Sequence, residues 1–274
     1  MSVLQRFERG EGELVALLHG AASHSGQWRA LIAQLTPTYR TIAWDQYGYR
    51  GSPAWSELRP LQIHDQVAPL LSHLQAQSGP IHIIGHSHGA TLAALLATQL
   101  GDRVSSLMLY EPNNFGVLDH TCDKQRAEYE SVRAAFGDLD ARMSTLSARA
   151  EFAQDLLNFW LGPQAWDTLS ERVRAQLIES TLPTSLEVYA ALHDTFEVPL
   201  LRTLGERLLL AYDPHTPPLA LAVTRRYREL LSGCTVETLP HAGHLGPITH
   251  AERFNQIVMN HLARYTHTHY HKER

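Results

Sequence analysis

The chain is poor in cysteine, in blocks of like charge and in long apolar runs, and each shortage removes a class of protein. Only Cys122 and Cys234 occur in 274 residues, far apart and in no metal-ligand spacing. A disulfide framework is excluded as the organising element, and a reducing compartment is expected. The 23 basic and 28 acidic residues are well mixed, for a formal net charge of −5. No basic block is present of the kind that draws a chain onto nucleic acid or anionic lipid. No run approaches the roughly 20 apolar residues of a membrane span. The charged start MSVLQRFERGEGE holds no apolar core of a secretory signal. The expectation is a soluble cytoplasmic protein without nucleic-acid or membrane partners; the oligomeric state stays open.

What is present is an ordinary globular composition, 44% apolar and 19% charged. Short apolar runs alternate with helical segments. LVALLHG (14–20), RTIAWDQYG (40–48), PIHIIGH (80–86), VSSLMLYEP (104–112), RLLLAYDP (207–214) and CTVETLP (234–240) are short and end in turn residues. They read as strands, several buried on both faces. Helical patterns fill 25–35, 63–77, 90–100 and 219–231. Strand–helix alternation predicts an α/β fold, a mostly parallel central sheet with helices on both faces. From 112 to 200 no buried strand is evident, only helical periodicity punctuated by Pro163, Pro183 and Pro199. The expected organisation is a core of residues 1–111 and 201–274 with a helical lid, 112–200, inserted after the strand that ends at Glu111. An insertion there would cover the crevice where such sheets bind ligands.

Histidine is abundant, with 17 in all. Four lie near the carboxyl end, His261, His267, His269 and His271, and read as a solvated tail. Two more flank a serine in IIGHSHGATLAALLA (83–97). An H-x-H pair can belong to a metal site, but no further ligand cluster stands at metal spacing. No metal or cofactor is expected. Gly85-His86-Ser87-His88-Gly89 also fits G-x-S-x-G, after a predicted strand and before a predicted helix. That context suits a sharp turn that lifts the serine hydroxyl above the sheet. The glycines allow close backbone approach, and the following helix supplies partial positive charge at its N-terminus. A serine hydroxyl needs a base. LPHAGHLGPITHAERFNQI offers His241, His244 and His250. His244 is preferred because glycines flank it and free the loop to aim the ring.

LLHGAASHSGQW, AWDQYGYRGS, IIGHSHGA, LMLYEP and LPHAGHLGP, in this order across residues 14–250, resemble the α/β-hydrolases. The resemblance implies a serine hydrolase with Ser87 as nucleophile and His244 as base. It implies an oxyanion hole made by the backbone amides of Ala21 and His88. Arg50 stands where the family usually has glycine, and Asp45 reads as a turn-stabilising carboxylate. The carboxylate partner of His244 is left between two candidates. Glu111, at the end of the strand before the insertion, is preferred. Asp213 is the alternative; it lies in the more common loop but two residues early, where the expected place falls near His215. Trp28 and Trp160 are candidate pocket residues. The resemblance implies hydrolysis of an ester, thioester, lactone or amide, or cleavage of an activated C–C bond, and the aromatic residues Phe152, Phe159, Trp160, Trp166 and Trp28 suggest a small, apolar substrate. A ligand-binding member of the family without turnover is the alternative.

Overall fold

The computed structural model describes residues 3–118 and 123–266. Cys122, His267, His269 and His271 lie outside them. Seven strands form one sheet: β1 (Arg6–Arg9), β2 (Glu13–Leu18), β3 (Tyr39–Trp44), β4 (Ile81–His86), β5 (Val104–Tyr110), β6 (Leu208–Tyr212) and β7 (Thr235–Thr238). Their order is β1-β3-β2-β4-β5-β6-β7, and every pairing is parallel except β1 with β3. The six expected strands are all present. The additional strand, β1, is the segment RFER at the sheet edge, exposed at every position. It buries nothing, so no hydrophobic pattern marks it; pairing along the edge of β3 makes it a strand.

The helices that accompany the sheet are α1 (Arg29–Leu35), α2 (Ile63–Gln75), α3 (His88–Leu100), α4 (Asp123–Phe136), α5 (Leu139–Met143), α6 (Leu146–Leu161), α7 (Glu171–Glu179), α8 (Thr181–His193), α9 (Pro218–Leu230), α10 (Gly246–Thr249) and α11 (Ala251–Tyr265). One apolar cluster joins α2, α3 and α9 to one face of the sheet. A second joins α1 and α11 to the other through Trp28, Leu31, Phe254, Val258 and Leu262. β4 and β5 are buried along their whole length, as strands covered on both faces must be. Helices α4 to α8 lie between β5 and β6 in sequence, in the region expected to hold an insertion. His261 corrects the reading of a solvated tail. It sits inside α11, 3% exposed, because the helix continues to Tyr265 and packs this side inward.

The register decides what meets at the carboxyl edge of the sheet. His86 pairs with Tyr110, and Tyr110 with Ala211. The residues just beyond these strands, Ser87, Glu111 and Asp213, are therefore brought to adjacent places. The chain runs outward from β2 to β3 and then returns to β4 on the other side of β2. This reversal of strand order opens a crevice at the carboxyl ends of β2 and β4.

Candidate active site

Ser87 occupies the turn between β4 and α3 with φ 54° and ψ −120°. This left-handed region is costly for a residue with a side chain. The turn is held by the Ser87 amide, which donates to the Tyr110 carbonyl at 2.9 Å. It also requires Gly85 and Gly89. A Cβ on Gly89 would lie 2.2 Å from the Leu18 carbonyl oxygen, and one on Gly85 would lie 2.3 Å from that of Gly89. His88 is the first residue of α3, so its amide belongs to the group that finds no acceptor inside the helix. Ala21 lies across the same cavity in the loop after β2.

The Ser87 hydroxyl is 2.9 Å from His244 Nε2, and His244 Nδ1 is 2.8 Å from Glu111 Oε2. With a carboxylate at Nδ1, that nitrogen carries the proton and donates, leaving Nε2 to accept from the serine. All three residues are buried. Glu111 also has a positive φ, 45°, which turns its side chain off the end of β5. Its carboxylate accepts from the Asp213 amide at 2.9 Å and the Thr216 hydroxyl at 2.8 Å, besides the imidazole. Three donors compensate a buried carboxylate that would otherwise be expensive to desolvate.

The hydrogen-bond partner of His244 Nδ1 is Glu111 and not Asp213. Its carboxylate accepts from the amides of Gly243 at 2.6 Å and His215 at 2.9 Å, and from His215 Nδ1 at 3.0 Å. Burial pushes this carboxyl upward, but the hydrogen bonds from the His215 and Gly243 amides outweigh it and hold the group below the usual range. Asp213 thus fastens the loop that carries His244. His241 is turned away, stacked on His215 with ring centroids 4.8 Å apart, and His250 meets the Thr249 hydroxyl.

The rings of His86 and His88 diverge. His86 Nε2 is 2.8 Å from the His244 carbonyl and therefore donates, which makes Nδ1 the acceptor for Gln27 Nε2 at 3.2 Å. Burial and the neighbouring His244 push the His86 ring well below its ordinary value, so it stays neutral. Gln27 Oε1 in turn accepts the Gly20 amide at 3.3 Å. The ring of His86 consequently ties the His244 loop to the loop that carries Ala21, a role no sequence motif signals. His88 turns to Gln66 at 3.0 Å. Among the described residues, no group of three or more His, Cys, Asp or Glu is placed to hold a metal ion.

A cavity of about 220 Å³ opens on Ser87 and His244. Its described wall includes Ala21, Ala22, Asn113, Phe115, Phe136, Phe152, Leu156, Phe159, Trp160 and Val188, and among the described residues no Asp, Glu, Lys or Arg lines it. Trp160, from α6, stacks on the His244 ring with centroids 3.5 Å apart and planes 13° from parallel. Trp28, the other aromatic singled out by sequence, is not in the wall. It is 1% exposed and packs against Phe254 under α11. Trp28 ends a short 3-10 turn, Ser25–Trp28, just before α1, and faces the core beside Leu31 and Leu35 of that helix.

Asp45 accepts the Ser25 amide at 2.7 Å and so braces the loop after β2, in keeping with a turn-stabilising carboxylate. Arg50 has φ 47°, a left-handed conformation that glycine adopts at less cost than a residue with a side chain. Its guanidinium donates to His24 Nε2 at 3.0 Å.

A model of the alpha/beta hydrolase family matches residues 15–257. The chain is 26% identical to a putative carbamate hydrolase, RutD, of Variovorax paradoxus over 93% of both chains. It is 27% identical to a pimeloyl-[acyl-carrier protein] methyl ester esterase of Chromobacterium violaceum, over 92% of this chain and 95% of that one. Among solved structures, a hydrolase from Oleispira antarctica superposes with a TM-score of 0.72 at 19% identity, covering 96% of this chain and 95% of the other. A thermophilic esterase from Thermogutta terrifontis gives 0.68 at 19% identity, covering 96% and 94%.

Proposed function

The chain belongs to the alpha/beta hydrolase family, and from that premise we propose that it is a serine hydrolase acting on small, uncharged, predominantly apolar acyl esters. The observation that carries this reading is the unbroken line of hydrogen bonds from Ser87 through His244 to Glu111. Ser87 Oγ attacks the acyl carbonyl while its proton passes to His244 Nε2. Glu111 orients the ring and stabilises the imidazolium, keeping its own negative charge. The amides of Ala21 and His88 receive the oxyanion. His244 then returns the proton to the departing alcohol, leaving the acyl group on Ser87. Water, deprotonated by the same histidine, releases the acid and restores the serine.

The cavity supports the substrate class. Among the described residues the wall offers no charged side chain to pair with a carboxylate or ammonium on the acyl group, and desolvating such a charge is costly. At about 220 Å³ the cavity is small beside the roughly 300–1,000 Å³ of common ligand pockets. Ester hydrolysis is the reaction named for one of the full-length relatives. Thioesters, lactones, amides and activated C–C bonds would use the same groups. Helices α4 to α8 are read as a lid, because Phe136, Phe152, Phe159, Trp160 and Val188 close the cavity from that side.

The test is labelling by a fluorophosphonate together with a series of p-nitrophenyl esters from acetyl to dodecanoyl. Wild type is expected to be labelled and Ser87→Ala not. Turnover is expected to be greatest at short acyl lengths and to decline as the chain outgrows the cavity. An unlabelled wild type would sink the hydrolase reading in favour of a ligand-binding protein.

A further inference from the structure

Three parts of the chain meet at the hydroxyl of Tyr49. It accepts the amide of Ala22 at 2.9 Å, lies 3.1 Å from Thr184 Oγ1 and bonds Glu187 Oε2 at 2.7 Å. Ala22 follows the proposed oxyanion donor Ala21. Thr184 and Glu187 belong to α8, in the proposed lid. Tyr49 itself lies in the loop after β3, and its ring meets that of His19 edge-on at 5.2 Å.

The loop needs such a tie. Ala22 has φ 57°, a left-handed conformation that a residue with a Cβ keeps only when its surroundings impose it. On the N-terminal side of Ala22 the tie is weaker, a 3.3 Å bond from the Gly20 amide to Gln27, and the next amide held on its C-terminal side is that of Ser25, which donates to Asp45 at 2.7 Å. Glu187 in turn needs Tyr49. It is 1% exposed, and its Oε1 has no hydrogen-bond partner among the described residues. Burial, opposed by the Tyr49 hydrogen bond, pushes its carboxyl up to about 8. A buried carboxyl that the proposed reaction does not use, bonded to a hydroxyl that holds the oxyanion loop, calls for a role.

We infer that Tyr49, anchored by Glu187 of α8, is a positioning residue that holds the Ala21–Ala22 segment in its oxyanion-binding conformation and couples it to the seating of the lid. This rests on the serine-hydrolase reading. Tyr49 does not reach the reacting atoms; it acts through the backbone it holds. An oxyanion donor works only when already aimed at the place where charge develops, so a released loop affects the transition state more than substrate binding.

The experiment compares wild type, Tyr49→Phe, Glu187→Gln, Glu187→Leu and the Tyr49→Phe/Glu187→Leu double variant. The readouts are kcat and KM for p-nitrophenyl butyrate, inhibition by a boronic acid that forms a tetrahedral adduct on serine, and thermal melting. Tyr49→Phe is expected to lower kcat by about tenfold or more, with KM within about twofold and boronate affinity weakened in step with kcat. Glu187→Leu should match it, and the double variant should be no worse than either. Glu187→Gln keeps an oxygen for the Tyr49 hydroxyl and should recover to within about threefold of wild type. The inference is overturned if Tyr49→Phe turns over within about twofold of wild type or keeps full boronate affinity while losing kcat. It is also overturned if the two single losses multiply, or if Glu187→Gln falls as far as Glu187→Leu. A wild type that neither hydrolyses the ester nor takes a fluorophosphonate would instead overturn the hydrolase reading, and the brace with it.

Discussion

The backbone amide of Asp213 donates to Glu111 Oε1 at 2.9 Å, so the two carboxylates that compete in the sequence belong to one arrangement. Glu111 meets the His244 ring, and Asp213 holds the His244 loop through the Gly243 amide. Glu111→Gln is expected to lower kcat by about 10³- to 10⁴-fold, because an amide there no longer enforces the Nδ1–H tautomer. Asp213→Asn should lower kcat by less than about tenfold and remove about 1.5–3 kcal/mol of stability, since it loses charge-assisted bonds. Steady-state kinetics and urea unfolding of both variants separate these effects. A full loss of activity only in Asp213→Asn, with the fold intact, would reverse the assignment.

Trp160 lies flat on the His244 ring at 3.5 Å. When His244 takes the serine proton, the indole face lies next to a cation, an interaction of roughly 1–2 kcal/mol in a desolvated site. Trp160→Leu keeps the wall apolar and removes that face. Its kcat is expected to fall roughly 5- to 30-fold with a smaller change in KM. An unchanged kcat for short esters would show that the stack has no part in turnover.

Gly89 admits no side chain. A Cβ there would stand 2.2 Å and 2.4 Å from the carbonyl oxygens of Leu18 and His19, both backbone atoms at the end of β2. Neither can yield without moving the sheet. Gly89→Ala is expected to lose more than about 4 kcal/mol of stability, or to fail to accumulate in folded form. Thermal melting and soluble yield beside wild type give the answer.

Glu187 makes stability depend on pH in a known direction. It ionises at its ordinary 4.5 in the unfolded chain and only near 8 in the folded one. Between these values the folded state holds the additional proton, so the stability the neutral carboxyl allows is lost as pH rises. Tyr49, its partner, is raised well above its ordinary 10 and does not titrate in this window. The unfolding free energy of wild type minus that of Glu187→Gln should fall by about one to a few kcal/mol between pH 5 and pH 8. A difference that stays flat across that range would remove Glu187 as a buried neutral acid.

Much of the fold is legible because its signals are local. A strand buried on both faces must be a short apolar run, and β2, β4, β5 and β6 are such runs. The turn at Ser87 demands small residues on both sides, so Gly85 and Gly89 announce it. His244 is legible for a related reason, as a ring on a loop between glycines. β1 was not legible, since an exposed edge strand has no burial pattern to display.

The sequence by itself determined the strand–helix alternation, the serine turn and the histidine loop, because each depends on steric and solvation preferences within a few neighbouring residues. Tertiary structure decided which carboxylate reaches His244, since register sets Glu111 beside it and turns Asp213 to the loop backbone. It decided that Trp160 faces the cavity while Trp28 packs in the core. It also brought Tyr49, Ala22 and Glu187 together across 138 residues of chain, from Tyr49 to Glu187. Contacts at such separations depend on how strands register and helices pack, and a single stretch of sequence carries no periodicity or turn chemistry that encodes them.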